Sequence, residues 1–160
     1  MAGEISVKGG VSKTTFLYGP ESHKLHLEFD LSPDPNAAAI HKGEPVKLAK
    51  VPYGGSNYDC VVPLGSGGVE LDCIGVSIHE LDSIYKGAIV IATRGYTVIY
   101  GKADGALDIG AKVKYTGYDA VAGYSKFKAV NANNSEDTSI IGWAIESVGD
   151  TDIVKILIKN

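Results

Sequence analysis

Apolar residues along this chain recur at every second position far more often than at helical spacing. Lys24 to Asp30 (KLHLEFD) alternates polar residues with Leu25, Leu27 and Phe29, and Val46, Leu48, Tyr58, Cys60 and Val62 continue the same period. The strongest strand candidates are Ala88 to Thr93 (AIVIAT), Tyr96 to Tyr100 (YTVIY), Lys112 to Tyr115 and Ile153 to Lys159 (IVKILIK), whose β-branched and aromatic residues suit a half-buried pleated surface. The one helical candidate, Ile78 to Tyr85, is short and stops at Lys86-Gly87. Turn sequences separate the runs: Gly54-Gly55-Ser56-Asn57, Gly65-Ser66-Gly67-Gly68, Asp104-Gly105, Gly117-Tyr118-Asp119 and Asn131 to Asp137.

The pattern repeats itself without a gap at an offset of 67 residues. Gly43, Val46 and Lys47 meet Gly110, Val113 and Lys114; Ile74-Gly75 meets Ile141-Gly142; Ile78 meets Ile145, Leu81 meets Val148, and Ile89-Val90-Ile91 meets Ile156-Leu157-Ile158. Matches confined to glycines and core-type positions mark one supersecondary unit used twice, each copy supplying apolar surface that the other needs. Glycines inside strands mark bulges, bends or close backbone approach, so Gly75 and Gly142 are expected at equivalent bends of a small curled sheet. The expected fold is all-β, a small β-barrel or two-layer, β-tulip-like structure built from the two units 40–93 and 107–160. Residues 37–160 form the β-rich domain. Residues 1–36 lie outside the repeat and carry Gly9-Gly10, Gly19-Pro20 and Ser32-Pro33-Asp34-Pro35-Asn36, so they read as an extended N-terminal arm with one or two strands.

Composition narrows the picture. A chain of 160 residues is long enough for one real core, and its 20 glycines suit many turns. A net charge of -4 argues against general affinity for DNA, RNA or anionic membranes. No run approaches a membrane-spanning helix, and the start MAGEISVKGG lacks the apolar centre of a secretory signal, so the protein is expected to be made in a cytoplasm. Cys60 and Cys73 sit in apolar runs with no ligand-spaced partner, which reads as two reduced, buried thiols and no metal site.

Candidate chemistry is sparse. Lys8-Gly9-Gly10-Val11-Ser12-Lys13-Thr14-Thr15 resembles the deviant Walker A loop of partition-type ATPases, but Ser12 stands where that loop needs a glycine. Gly19-Pro20 would also cut the helix that must follow. The match reads as chance on an arm, and no nucleotide or other cofactor is expected. His23 and His26, three apart on a strand, face opposite ways and cannot share a metal. The acid pairs Asp34 with Glu44 and Glu70 with Asp72 read as solvated charges beside turns, and Ser66 lacks the strand-elbow-helix setting of a hydrolase nucleophile. Tyr96, Tyr100, Tyr115, Tyr118 and Tyr124 suit either an interface or cross-strand packing, and Trp143, where the other repeat has Val76, reads as core or interface. No catalytic residue emerges, and the chain reads as non-enzymatic.

The order of these elements resembles the capsid cement, or head decoration, family of tailed bacteriophages. The likeness lies in Lys42-Gly43-Glu44-Pro45-Val46, Ile74-Gly75-Val76-Ser77-Ile78, Gly87-Ala88-Ile89-Val90 leading to Gly95-Tyr96-Thr97-Val98, and Ile109-Gly110-Ala111-Lys112-Val113. It closes with Ile141-Gly142-Trp143-Ala144-Ile145-Glu146, Gly149-Asp150 and the strand Val154 to Ile158. The resemblance covers residues 37–160. It implies a structural virion protein on the outer surface of an expanded icosahedral head, clamping neighbouring major capsid protein subunits, commonly as a homo-trimer at local three-fold axes and sometimes as a dimer or monomer. The N-terminal extension and the insertions at Val51 to Gly68 and Tyr118 to Asp137 depart from shorter members. On the arm, Ile5, Val7, Phe16, Leu17 and Tyr18 are the expected apolar capsid anchors, with Lys8 and Lys13 meeting acidic capsid surface. The alternative is a β-sandwich that recognises glycans through tyrosines and loops.

Overall fold

The computed structural model describes residues 25–66, 73–77, 80, 89–94, 97–130 and 139–158. Among the described residues the secondary structure is all β. In chain order the strands are β1 (Leu25–Phe29), β2 (Pro45–Tyr53), β3 (Ser56–Pro63), β4 (Gly75–Ser77), β5 (Ile89–Arg94), β6 (Thr97–Ala103), β7 (Lys112–Asp119), β8 (Tyr124–Ala129), β9 (Ile140–Ala144) and β10 (Ile153–Ile158). They make two sheets. The first runs β1-β5-β4-β2-β3; in the second, β10-β6-β8-β7-β9, the pairing returns from β9 to β10 and closes as a small barrel.

Opened between β6 and β8, the ring reads β6-β10-β9-β7-β8, which is the first sheet with every strand number raised by five. The sequence repeat is therefore a repeat of topology. It extends to β1 and β6, which show no sequence match, because both pair antiparallel with the last strand of their unit. The units differ in closure. β6 and β8 close the barrel through a parallel ladder, Lys102↔Lys126 and Ala103↔Phe127, whereas the first sheet joins its ends by one parallel bridge, Leu31↔Val61.

The equivalence reaches single hydrogen bonds. Val46 pairs with Gly75 and Pro45 with Val76, and Val113 pairs with Gly142 and Lys112 with Trp143, the same register at the sequence offset. Before each of these strands lies the same turn. Gly43 N donates to Ser77 O at 2.7 Å and Gly110 N to Ala144 O at 2.8 Å; Glu44 N donates to His41 O at 2.9 Å and Ala111 N to Asp108 O at 3.0 Å. Both turns need a left-handed residue, supplied by Gly43 at φ 78° and Gly110 at φ 83°. Gly75 and Gly142 thus hold the equivalent positions that the repeat predicts. Gly142 is required by close approach, since a Cβ there would lie 2.2 Å from the Leu157 carbonyl oxygen.

One expected turn lies elsewhere. Gly117-Tyr118-Asp119 continues β7, and the chain reverses instead over 120–123, where Asp119 Oδ1 accepts from Val121 N and Ala122 N. The signal misleads because Gly117, at φ 127°, serves a bulge: Tyr115 pairs with Phe127 and Gly117 with Lys126, leaving Thr116 unpaired. The Gly54-Gly55 turn is as expected. Both glycines have positive φ, 59° and 83°, as a two-residue type I′ hairpin between Tyr53 and Ser56 demands. The helical candidate Ile78 to Tyr85 falls outside the described residues except for Glu80.

Two apolar clusters result. The larger fills the barrel with Ile99, Leu107, Val113, Phe127, Ile141, Val154, Ile156 and Ile158, and it takes in Leu64 and Val76 from the first unit. The smaller gathers Ile40, Val46 and Val61 with Phe29, Leu31 and Ile74 inside the first unit. Shared burial of Leu64 and Val76 is what makes the two units one body.

Candidate interaction surfaces

The junction between the units is polar at its rim and is built by the first unit's turn. β2 is entered from Lys42-Gly43-Glu44, and the turn presses these residues against β7 and β8 of the barrel. Glu44, 4% exposed, accepts at Oε1 from the Tyr115 hydroxyl at 2.6 Å and at Oε2 from His41 N at 2.9 Å. Ser125 Oγ donates to the Gly43 carbonyl at 3.1 Å. The His41 ring stacks on Tyr118 with centroids 3.8 Å apart and planes 3° from parallel, while Glu80 bonds the His41 ring and accepts from Lys42 N at 3.0 Å. Every atom of the Glu44 carboxylate is thereby engaged. The group holds the two units together.

Burial sets the electrostatics here. Desolvation raises the Glu44 carboxyl above its usual range, opposed by the Tyr115 and His41 hydrogen bonds. The Tyr115 phenol is pushed far up by burial and then by the Glu44 charge, so it keeps its proton and donates a hydrogen bond at any ordinary pH. Tyr118 is pushed up to about 12, again by burial first and by Glu80 and Glu44 after it. At the far end of β7, the hydrogen bond from Lys102 Nζ at 2.6 Å, helped by Ala122 N, pulls Asp119 down to about 2.

The second surface is the hairpin of β2 and β3. Residues 52–59 are exposed throughout, so the hairpin projects from the body as a two-stranded ribbon. Residues opposite each other on antiparallel strands share a face, and faces alternate along the strand. One face therefore carries Val51 with Tyr58 and Tyr53 with Ser56, and the other carries Leu48 with Val61 and Lys50 with Asp59. Tyr53 and Tyr58, 41% and 42% exposed, give the first face its aromatic character. Among the described residues, the outer edge of β3 over Ser56–Asp59 pairs with no other strand.

No known protein family and no curated protein matches the chain.

Ile5, Val7, Lys8, Lys13, Phe16, Leu17 and Tyr18, the phosphate-loop-like run and His23 all lie outside the described residues, as do Tyr96, Glu70 and Asp72. Asp34 Oδ1 accepts from Asn36 N in a local turn, whereas Glu44, expected as a solvated charge, is buried in the junction because Tyr115 and the His41 backbone supply its hydrogen bonds. Cys60 and Cys73 form no disulfide; Cys60 is buried, but Cys73 is only half-buried, with its thiol donating to the Gly75 carbonyl at 3.5 Å. Tyr115 and Tyr118 prove to be junction residues. Among the described residues no His, Cys, Asp or Glu side chains converge as a metal site. The junction had a sequence signal that went unread: Glu44 and Tyr115 are polar where the other repeat has Ala111 and Leu48, and a polar residue at a core-type repeat position points to a partner.

Proposed function

We propose that this chain is a head decoration protein of a tailed bacteriophage, a non-enzymatic component of the outer capsid surface that binds major capsid protein subunits. The observation that carries the reading is the projecting β2–β3 ribbon, whose Tyr53 and Tyr58 stand on one face beside a strand edge that pairs with no further strand among the described residues. Tyrosine offers contact area at low entropic cost, and an exposed edge can add to a neighbour's sheet. A protein bound in many copies on a shell needs only modest contacts of this kind, since it acts through their number. The N-terminal arm, with Ile5, Val7, Phe16, Leu17 and Tyr18 as anchors and Lys8 and Lys13 as cationic contacts, is the second proposed capsid-binding element, and oligomers at local three-fold axes are the proposed arrangement.

The test is co-sedimentation of the full chain with expanded, undecorated phage capsids. Saturable binding at a fixed ratio per hexamer is expected, weakened by the pair Tyr53→Ser and Tyr58→Ser and by deletion of residues 1–18. Absence of binding to expanded shells overturns the proposal. Retention on a glycan array without capsid affinity would assign the tyrosine face to sugar stacking instead.

A further inference from the structure

The duplication creates each junction surface twice, but within one chain each is used once. The first unit's turn docks on the second unit's hairpin. The second unit's turn and the first unit's hairpin are left over, and their exposure differs sharply from that of their counterparts. Lys42, Gly43 and Glu44 are buried, whereas Ile109 and Gly110, in the same backbone turn, are exposed, Ile109 to 68%. Val76 is fully buried against the barrel, whereas Trp143, at the same register position, is half-buried. On the receiving side Tyr115 is buried, whereas its repeat equivalent Leu48 is 54% exposed.

The unused surfaces also match each other chemically. On the turn, Glu44 is replaced by Ala111, and on the hairpin Tyr115 is replaced by Leu48, so a polar pair becomes an apolar one. His41 is replaced by Asp108. The hairpin face that carries Leu48 also carries Lys50, whose pairing with Asp59, two residues before Val61, matches in register the pairing of Tyr118 with Ser125, two residues before Phe127; its ion pair with Asp59 is loose, at 3.8 Å across the ribbon. Both changes are reciprocal: each altered residue on the turn has a counterpart of fitting character at the matching place on the hairpin.

We infer that a second copy of this chain docks by repeating the internal junction, with the Asp108–Ala111 turn and Trp143 of one copy seated on the Leu48 and Lys50 face of the β2–β3 hairpin of the next. The contact is head-to-tail. It buries different surfaces on the two copies, so it generates a ring if the rotation closes and a filament if it does not. Ile109 and Trp143 are its apolar anchors, and Asp108 with Lys50 sets its register. The tyrosine face of the same hairpin stays free, so failure of this contact would leave the proposed capsid binding through that face untouched.

The experiment is sedimentation velocity of the full chain over a range of concentrations. The wild type is expected to associate, and Ile109→Asp and Leu48→Glu are each expected to weaken association at least tenfold while leaving the thermal melt unchanged, since both positions are exposed. Lys50→Glu, a surface charge reversal, provides a second hairpin variant should Leu48→Glu alter folding. The decisive arm mixes Ile109→Asp with Leu48→Glu. Each variant keeps the surface the other has lost, so the mixture is expected to form a dimer that stops at two copies, which an interface using the same surface on both copies cannot do. A wild type that remains monomeric at about millimolar concentration, or that associates unaffected by these substitutions, overturns the inference, as does a mixture that fails to form the capped dimer.

Discussion

The Tyr115 hydroxyl donates to Glu44 at 2.6 Å across 71 positions of chain, and the pair is buried between two units built to one plan. Removing the donor leaves a buried carboxylate oxygen without its partner, which costs more than the bond's net worth. Tyr115→Phe is expected to lower unfolding free energy by about 1.5–3 kcal/mol, as read by urea denaturation. Adding Glu44→Leu to Tyr115→Phe should recover part of that loss, because no orphaned charge remains.

Two carboxylates give opposite pH dependence. Glu44 has its folded pKa raised, chiefly by burial, so the folded state holds the proton more tightly than the unfolded chain; its contribution to stability falls as pH rises from about 4.5 through that raised value. The advantage of Glu44→Gln over wild type should therefore grow with pH across this window. Asp119 is drawn down to about 2, chiefly by Lys102, so its contribution is present above about 3.8 and is lost as pH falls towards 2. Asp119→Asn should flatten the acid limb of the stability curve in that lower window. Thermal melts in steps between pH 2 and 7 separate the two.

Gly142 faces backbone. A methyl group there would meet the Leu157 carbonyl oxygen at 2.2 Å, and neither partner can rotate away, whereas at Gly149 the nearest atom is the Asp152 carboxylate at 2.9 Å, the end of a side chain that can move. Gly142→Ala is expected to cost about 3 kcal/mol and Gly149→Ala under about 1 kcal/mol, measured as denaturation midpoints.

The β7 bulge leaves the Thr116 hydroxyl buried without a hydrogen-bond partner among the described residues. Valine has nearly the same shape and lacks the unmet polar group. Thr116→Val should raise stability by about 1 kcal/mol, and a fall would show that the hydroxyl is satisfied by bound water.

Much of this architecture could be read from residues alone. Alternation over Lys24 to Asp30 and Ile153 to Lys159 gave strands, Gly54-Gly55 gave its hairpin, and the glycine and valine matches gave two units in the same register. β8 and β9 were harder, because Tyr124–Ala129 lies among turn-forming residues and Ile140–Ala144 is short. The equivalence of β1 with β6 could not be read at all, since it rests on pairing partners and not on side chains. The junction escaped for a related reason. A repeat search rewards identity, whereas Glu44 and Tyr115 matter because they differ from Ala111 and Leu48.

Having both units on one polypeptide also changes what the polar junction can tolerate. Two separate chains meeting through a buried carboxylate would come apart on dilution unless the contact were tight. Here the chain between β5 and β6 holds the partners at an effective concentration that dilution cannot lower. A contact too weak to hold an independent dimer is then sufficient. The Glu44 side can stay polar and specific while the unused copy of the same surface, which enjoys no such tether, is the one that has become apolar.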